Sequence, residues 1–181
     1  MASRYDDEMW ALVHERHDAP RELEEWVASL DPARHALDLG CGDGALSAAV
    51  PAAKLTLADV SAVALGRARA RLPEADTVEL EPEAPLPFAD GSFDLVVCTE
   101  TLEHVRDLQL LLSEVRRVLE PGARLAITTP AHRALIAAPD PLSPHVRFLT
   151  KRSLRALLDG MGFDVHSLRR RRGGLFVLAS R

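Results

Sequence analysis

Residues 37–46 read Leu-Asp-Leu-Gly-Cys-Gly-Asp-Gly-Ala-Leu, and they constrain the fold more than any other stretch of the chain. Leu37 to Leu39 close a short apolar strand. Gly40, Gly42 and Gly44 then bring a backbone without Cβ atoms close to whatever lies above the strand end. Ala45, Leu46, Ala48, Ala49 and Val50 continue as an apolar helical turn. Strand, glycine loop and helix in that order form a nucleotide cradle in an open α/β sheet.

The alternation persists downstream. Leu55-Thr-Leu-Ala is predicted as a strand, Ser61 as the cap of an alanine-rich helix to Leu72, and Thr77 to Leu80 as a third strand. Phe93 to Cys98 is apolar enough for a strand buried on both faces. A helix capped by Asp107 carries Leu108, Leu111, Leu112, Val115, Val118 and Leu119, and is expected to stop at Pro121-Gly122. Arg124 to Thr129 is the fifth strand. Thr150 caps a helix bearing Leu154, Leu157, Leu158 and Met161, and Phe163 to Leu168 with Leu175 to Ala179 form a closing antiparallel pair. The expected fold class is α/β, a Rossmann-like seven-stranded and mostly parallel sheet with helices on both faces and that antiparallel pair at the C-terminus.

One domain, residues 1–181, fits this length. Residues 1–35 read as a helical arm. Leu23, Trp26, Val27 and Leu30 share a helical face there, with Asp18 as cap and Pro20 in the first turn. The segment before it (Tyr5, Met9, Trp10, Val13, His14, His17) is weakly amphipathic, a loose arm or part of a lid. Residues 131–149 carry Pro139, Pro141 and Pro144 and no clean period, which reads as a short substrate-side insertion.

The formal net charge of −5 argues against a protein built to coat nucleic acid. No apolar run reaches the length of a membrane span, and the polar, acidic start resembles neither a secretory signal nor a transit peptide. Cys41 and Cys98 are the only cysteines, so no disulfide is expected and a reducing cytoplasm is the default compartment. No Cys/His cluster of the kind zinc requires is visible, and no metal ligand is assigned. Arg169 to Arg172, followed by Gly173-Gly174, reads as the solvated tip of a strand pair or as a patch for an anionic partner.

Glycines alone leave the ligand open, because Gly40-x-Gly42-x-x-Ala45 also fits the loose dinucleotide fingerprint. Asp38 stands before the first glycine and Asp43 inside the loop, where a dinucleotide places its pyrophosphate. Two carboxylates against that anion would repel it. A cofactor bearing an ammonium and a sulfonium, with no phosphate, reverses the sign, which favours S-adenosylmethionine over NAD. Asp59 ends the second strand, where a carboxylate can accept both ribose hydroxyls or cap the next helix.

On Leu37–Gly44, on Leu55-Thr-Leu-Ala-Asp59-Val-Ser, on Leu86-Pro-Phe through Thr101-Leu-Glu-His-Val105, on Leu112 to Leu125 and on Phe148 to Phe163, the chain resembles the class I S-adenosylmethionine-dependent methyltransferases. Within them it is most similar to the small-molecule branch of quinone-biosynthesis and natural-product enzymes. The resemblance implies a cofactor-binding set of Asp38, Gly40, Cys41, Gly42, Gly44, Asp59, Val60, Glu83 and Thr99, with Asp38 facing the methionine ammonium. The family's usual adenine-binding aspartate is replaced by Glu81-Pro82-Glu83-Ala84-Pro85. Either Glu83 or Glu81 substitutes, or adenine is held by backbone and apolar contacts, or the stretch is a solvated acidic loop.

His104 and His145 are the implied proton-accepting residues, with His132 a weaker third. His104 reads equally well as a helix-start histidine bonding to backbone. Cys98 lacks the flanking proline of a cytosine-methylating nucleophile and reads as a buried strand cysteine. The implied partner is a small-molecule methyl acceptor, with no nucleic acid and no membrane, in a monomer or homodimer. The alternatives are methylation of protein or RNA, and a regulatory protein that binds the cofactor without turnover.

Overall fold

A computed structural model describes residues 2–13, 18–131, 145–171 and 174–181. His14, His17, His132, Pro139, Pro141, Pro144, Arg172 and Gly173 lie outside the described residues. The strands are β1 (Ala33–Leu39), β2 (Ala52–Asp59), β3 (Asp76–Glu79), β4 (Phe93–Thr99), β5 (Leu119–Pro130), β6 (Asp164–Arg171) and β7 (Gly174–Ser180). The helices are α1 (Ala2–Leu12), α2 (Arg21–Ala28), α3 (Ala62–Arg71), α4 (Leu108–Val118) and α5 (Lys151–Gly160). The strands form one seven-stranded mixed sheet, as the alternation predicts, and their order is β3-β2-β1-β4-β5-β7-β6. No helix among the described residues is long and apolar enough to cross a membrane. Two compact units divide the chain, Met1–Ala84 and Pro85–Arg181.

In the first unit β1, β2 and β3 run parallel, with Asp38 opposite Leu57 and Ala58 opposite Val78. Parallel strands need covered faces, and α3 supplies one cover. Its Leu65 and Ala68 pack against Leu57 and Cys41. Ser61 caps α3 as expected, accepting the Ala64 N–H through its hydroxyl. Trp26 and Val27 are the buried residues of α2. The expected Asp18 cap of α2 is corrected: the residue before the helix is Pro20, and no side chain caps it. The helix expected after the glycine loop shrinks to a single 3₁₀ turn, Ser47–Ala49. Pro51 holds Val50 extended, so the turn cannot propagate.

The second unit pairs β4 with β5 in parallel and hangs β7 and then β6 antiparallel on β5. Six of the seven residues of β4 are buried, as its continuous apolar run predicts. Asp107 caps α4 by accepting the Leu110 N–H. Leu108, Leu112, Val115 and Val118 form the buried stripe of α4. That helix ends at Val118, short of the expected stop at Pro121-Gly122, because buried Leu119 has turned extended to pair with Phe93. Thr150 and Ser153 close a reciprocal capping box at the start of α5, whose Leu154 and Leu158 are buried. Arg169, Arg170 and Arg171 lie exposed on β6, and Arg171 stands over the Phe176 ring at 5.6 Å.

Two glycines of the first unit carry opposite constraints. Gly44 has φ +78°, and a Cβ there would lie 3.3 Å from both the Cα and the Cβ of Ala68. Gly66 lies inside α3 with open space around the corresponding position. Gly44→Ala is therefore expected to destabilise the fold by about 1–3 kcal/mol, through strain and crowding against α3. Gly66→Ala is expected to stabilise it by about 0.5–1 kcal/mol through helix propensity. Urea denaturation midpoints of the two variants should move in opposite directions, and a shared direction would contradict this placement of the loop on α3.

Candidate functional site

The loop after β1 turns on three left-handed glycines, Gly40 (φ +75°), Gly42 (φ +55°) and Gly44 (φ +78°). Their conformation is what L-residues resist, which explains the spacing. Gly40 and Cys41 both donate their N–H groups to the Ala58 carbonyl, at 2.8 and 3.1 Å, so the loop folds over the end of β2. The indole of Trp10, on α1, occupies the space a Gly42 side chain would need: a Cβ there would sit 2.6 Å from the ring. Asp7, one turn earlier on the same helix, accepts from the Ser61 hydroxyl (2.6 Å) and the Val63 N–H (3.1 Å). Those bonds hold its carboxyl below the usual range. The amphipathic N-terminal segment thus lies against the glycine loop and the first turn of α3.

Two acids of this unit are buried and oriented. Asp38 accepts from the Ser47 hydroxyl at 2.5 Å through Oδ2, while its Oδ1 is buried with no hydrogen-bond partner. Burial pushes its carboxyl up to about 6, the Ser47 bond opposes that rise and the charge of Asp59 adds to it. It is therefore mainly ionised at pH 7, with one oxygen uncompensated. Asp59 accepts the Gly42 N–H at 2.8 Å through Oδ2 and the Ser61 N–H at 2.9 Å through Oδ1. Burial raises its carboxyl, and the N–H groups of Ser61, Gly42 and Val60 oppose the rise. Ser61 holds the capping role weighed for Asp59; Asp59 instead holds the N–H of that cap residue with one oxygen and braces the loop with the other.

Asp43 departs from the sequence reading. Its side chain is turned away from a ligand role, accepting the Ala45 N–H (3.1 Å) and pairing with Arg71 of α3 at 2.9 Å. The electrostatic case against a pyrophosphate therefore rests on Asp38. Cys41 points its thiol into the core against Leu57, Leu65 and Ala68, and burial pushes it well above the normal thiol range. Val60 is half-buried. Glu83 is exposed, with φ +59°, in a turn closed by the Ala84 N–H on the Glu81 carbonyl.

In the second unit the carboxyl end of β4 leads into Glu100 to His104. Thr99 is buried and its carbonyl accepts the Thr101 hydroxyl at 2.9 Å. Glu103 is almost wholly buried; its Oε2 accepts the Thr129 hydroxyl at 2.9 Å and its Oε1 has no hydrogen-bond partner. The Val146 N–H donates to the Glu103 carbonyl at 2.9 Å, and Ala131 bridges Leu149 in parallel. Those contacts deliver His145 to the cluster. Glu103 Oε1 lies 3.9 Å from His104 Nε2 and 4.0 Å from His145 Nε2, and the two ring centroids are 4.8 Å apart. Burial, reinforced by the nearby charge of Glu100, pushes Glu103 up to about 8. Glu100 is itself raised by burial, with the Thr128 hydroxyl opposing the rise.

The two histidines singled out from the sequence therefore meet, and Glu103, which that reading passed over, lies beside both. Its signal was present in Glu103-His104, yet nothing local revealed that Thr129 anchors it or that His145 arrives beside it.

Residues 37–127 match the family model described as a methyltransferase domain. The chain is 35% identical over 136 residues to a probable S-adenosylmethionine-dependent methyltransferase of Mycolicibacterium smegmatis, covering 73% of this chain and 52% of that protein. It is 33% identical over 127 residues to norajmaline N-methyltransferase of Rauvolfia serpentina, covering 66% of this chain and 44% of that protein. The chain thus spans about half the length of these curated relatives. Among solved structures, a putative methyltransferase from Bacillus halodurans superposes with a TM-score of 0.74 at 17% identity, covering 89% of this chain and 99% of that one. At that identity the likeness establishes the fold.

Glu103 also sets a pH dependence. Its carboxyl stands near 8 in the fold against an ordinary value of 4.5, so between those limits the native state holds a proton that the unfolded chain releases. Stability from this group is present below pH 4.5 and is lost as pH rises toward 8, a loss on the order of a few kcal/mol. Urea titrations at pH 5 and pH 8 should show a larger fall for the wild type than for Glu103→Gln. Equal falls would mean that Glu103 is not desolvated in solution.

Proposed function

The chain belongs to the class I S-adenosylmethionine-dependent methyltransferases, and on that premise we propose that it transfers a methyl group to an oxygen or nitrogen of a small molecule. The observation that carries the reading is the buried Oδ1 of Asp38, which has no hydrogen-bond partner beside a loop of three left-handed glycines. A buried, ionised carboxylate oxygen without a partner is costly, and a ligand ammonium meets it where a phosphate would be repelled. The residues present thus fit S-adenosylmethionine. When bound, it supplies an electrophilic methyl group on a sulfonium.

Asp38 takes the ammonium end. Asp59 keeps acceptor capacity beyond its two backbone bonds, since each carboxylate oxygen has two lone-pair sites, and it receives ribose hydroxyls. Gly40, Gly42 and Gly44, with the backbone of Cys41 and Val60, form the floor. Glu83, exposed in its turn, is the carboxylate offered to the adenine amino group.

His104 and His145, with Glu103, supply the acid–base groups for an acceptor that must lose a proton. In-line methyl transfer otherwise gains from alignment and exclusion of water. The relative from Rauvolfia serpentina, named for N-methylation of norajmaline, supports a small acceptor.

S-adenosylhomocysteine at a hundredfold above its Kd should raise the melting temperature by about 5–10 °C, while NAD at the same concentration leaves it unchanged. Asp38→Asn should weaken that ligand by roughly tenfold to a hundredfold by calorimetry, the worth of one bond between charged groups. Stabilisation by NAD, or full affinity in Asp38→Asn, would overturn the cofactor assignment.

Against a small phenol or amine acceptor, His104→Ala and His145→Ala should each lower turnover by about a hundredfold with cofactor affinity intact. Normal turnover in both would leave alignment as the whole of catalysis. Release of S-adenosylhomocysteine only with protein or RNA acceptors would overturn the small-molecule reading.

A further inference from the structure

We propose that Glu103, His104 and His145 form a site for one borderline-soft divalent transition-metal ion, Zn²⁺ or a neighbour in its series. Their ligand atoms, one carboxylate oxygen and two imidazole nitrogens, all lie within 4.8 Å of one another. The carboxylate is anchored, because Thr129 holds Oε2, and Oε1 is left buried without a hydrogen bond, 3.9 and 4.0 Å from the Nε2 atoms of His104 and His145. Neither histidine satisfies it, since separations of 3.9 and 4.0 Å are too long for a hydrogen bond. A cation bonded to all three would draw them to about 3.4 Å apart, the spacing of tetrahedral ligands at zinc distances. His104, whose side chain is 40% exposed, has room for that small movement.

The donor set selects the ion. Two imidazoles favour zinc, iron, cobalt or nickel, whereas magnesium prefers oxygen ligands throughout. Three protein ligands leave a coordination position open, as in sites that bind a reactant. The Val146 N–H on the Glu103 carbonyl positions the segment carrying His145, so the site needs the chain on both sides of residues 132–144. With an ion bound the two histidines are ligands, and an acceptor hydroxyl coordinated at the open position would lose its proton to solvent water instead of to a histidine. The metal site itself does not rest on the methyltransferase reading.

The test uses the full chain, stripped of metal by chelator dialysis, with neither cofactor nor acceptor present. Co²⁺ binding is followed by visible absorption, and Zn²⁺ and Mg²⁺ binding by calorimetry. One Zn²⁺ or Co²⁺ should bind per chain, with the intense visible band of a low-coordinate cobalt site, and Mg²⁺ should bind far more weakly. Glu103→Gln, His104→Ala and His145→Ala should each weaken Zn²⁺ by about a hundredfold or more, beyond what loss of a group supporting a ligand costs. His166→Ala, which removes an exposed β6 histidine paired with Ser180, should leave binding unchanged. Circular dichroism on each variant separates lost ligands from lost fold, and Glu103→Gln keeps an acceptor for Thr129.

No binding by the wild type, Mg²⁺ binding as tight as Zn²⁺, or full affinity in folded His104→Ala and His145→Ala would overturn the site. Loss of binding in His166→Ala would overturn it too. Because no cofactor is present, failure of S-adenosylhomocysteine to bind leaves this result standing, and the reverse holds equally.

Discussion

The carboxylate of Asp59 accepts the Gly42 N–H through one oxygen and the Ser61 N–H through the other, joining the glycine loop, the end of β2 and the start of α3. Each element needs that tie for its own reason. A loop of left-handed glycines has large conformational freedom to lose on folding, and an anchored N–H in its middle limits what it must lose. The first turn of α3 has N–H groups that no helical carbonyl can reach, and Ser61, itself positioned by Asp59, accepts one of them. The geometry of the glycine loop is therefore a product of buried polar bonding more than of apolar packing. A carboxylate assigned to a ligand turns out to be structural as well, so its removal would blur binding with folding; Asp38 separates the two more cleanly.

The second unit uses a comparable device at its surface. Arg117 of α4 reaches the carbonyls of Leu86 and Phe88, the carboxylates of Asp90 and Glu114, while Glu114 accepts the Leu86 N–H. An isolated exposed ion pair would add little, but this network also uses the backbone groups of the Leu86-Pro87-Phe88 turn. Leu86 is buried as a result, and Phe88 meets the edge of Phe93 with ring centroids 5.0 Å apart. A motif that marks the family in sequence is here a splice between a loop, a helix and the first residue of β4.

What the sequence revealed was local. Ser61, Asp107 and Thr150 were legible as caps because a cap and its N–H partners lie within one helical turn. The strands were legible because burial on both faces leaves a continuous apolar run. Asp43 was misread because its partner, Arg71, is 28 positions away and reaches it only once α3 docks. The run Ala45 to Val50 looked helical because composition ignores the extension that Pro51 imposes on Val50. Glu103 was passed over for the same reason as Asp43: Thr129 and His145 become its neighbours only through strand pairing and the Val146 contact. Short-range chemistry was readable, and polar partnerships made by the tertiary fold were not.

Cys41 lies in the middle of a loop assigned to an alkylating agent, and its thiol is turned into the core against Leu57, Leu65 and Ala68. Burial and the surrounding carboxylates Asp38, Asp59 and Asp43 all raise its pKa, so it remains a neutral thiol. Only the thiolate is a competent nucleophile toward an electrophilic carbon. The same packing that lets α3 sit close beneath the glycines thus keeps the one thiol of the loop unreactive toward electrophiles.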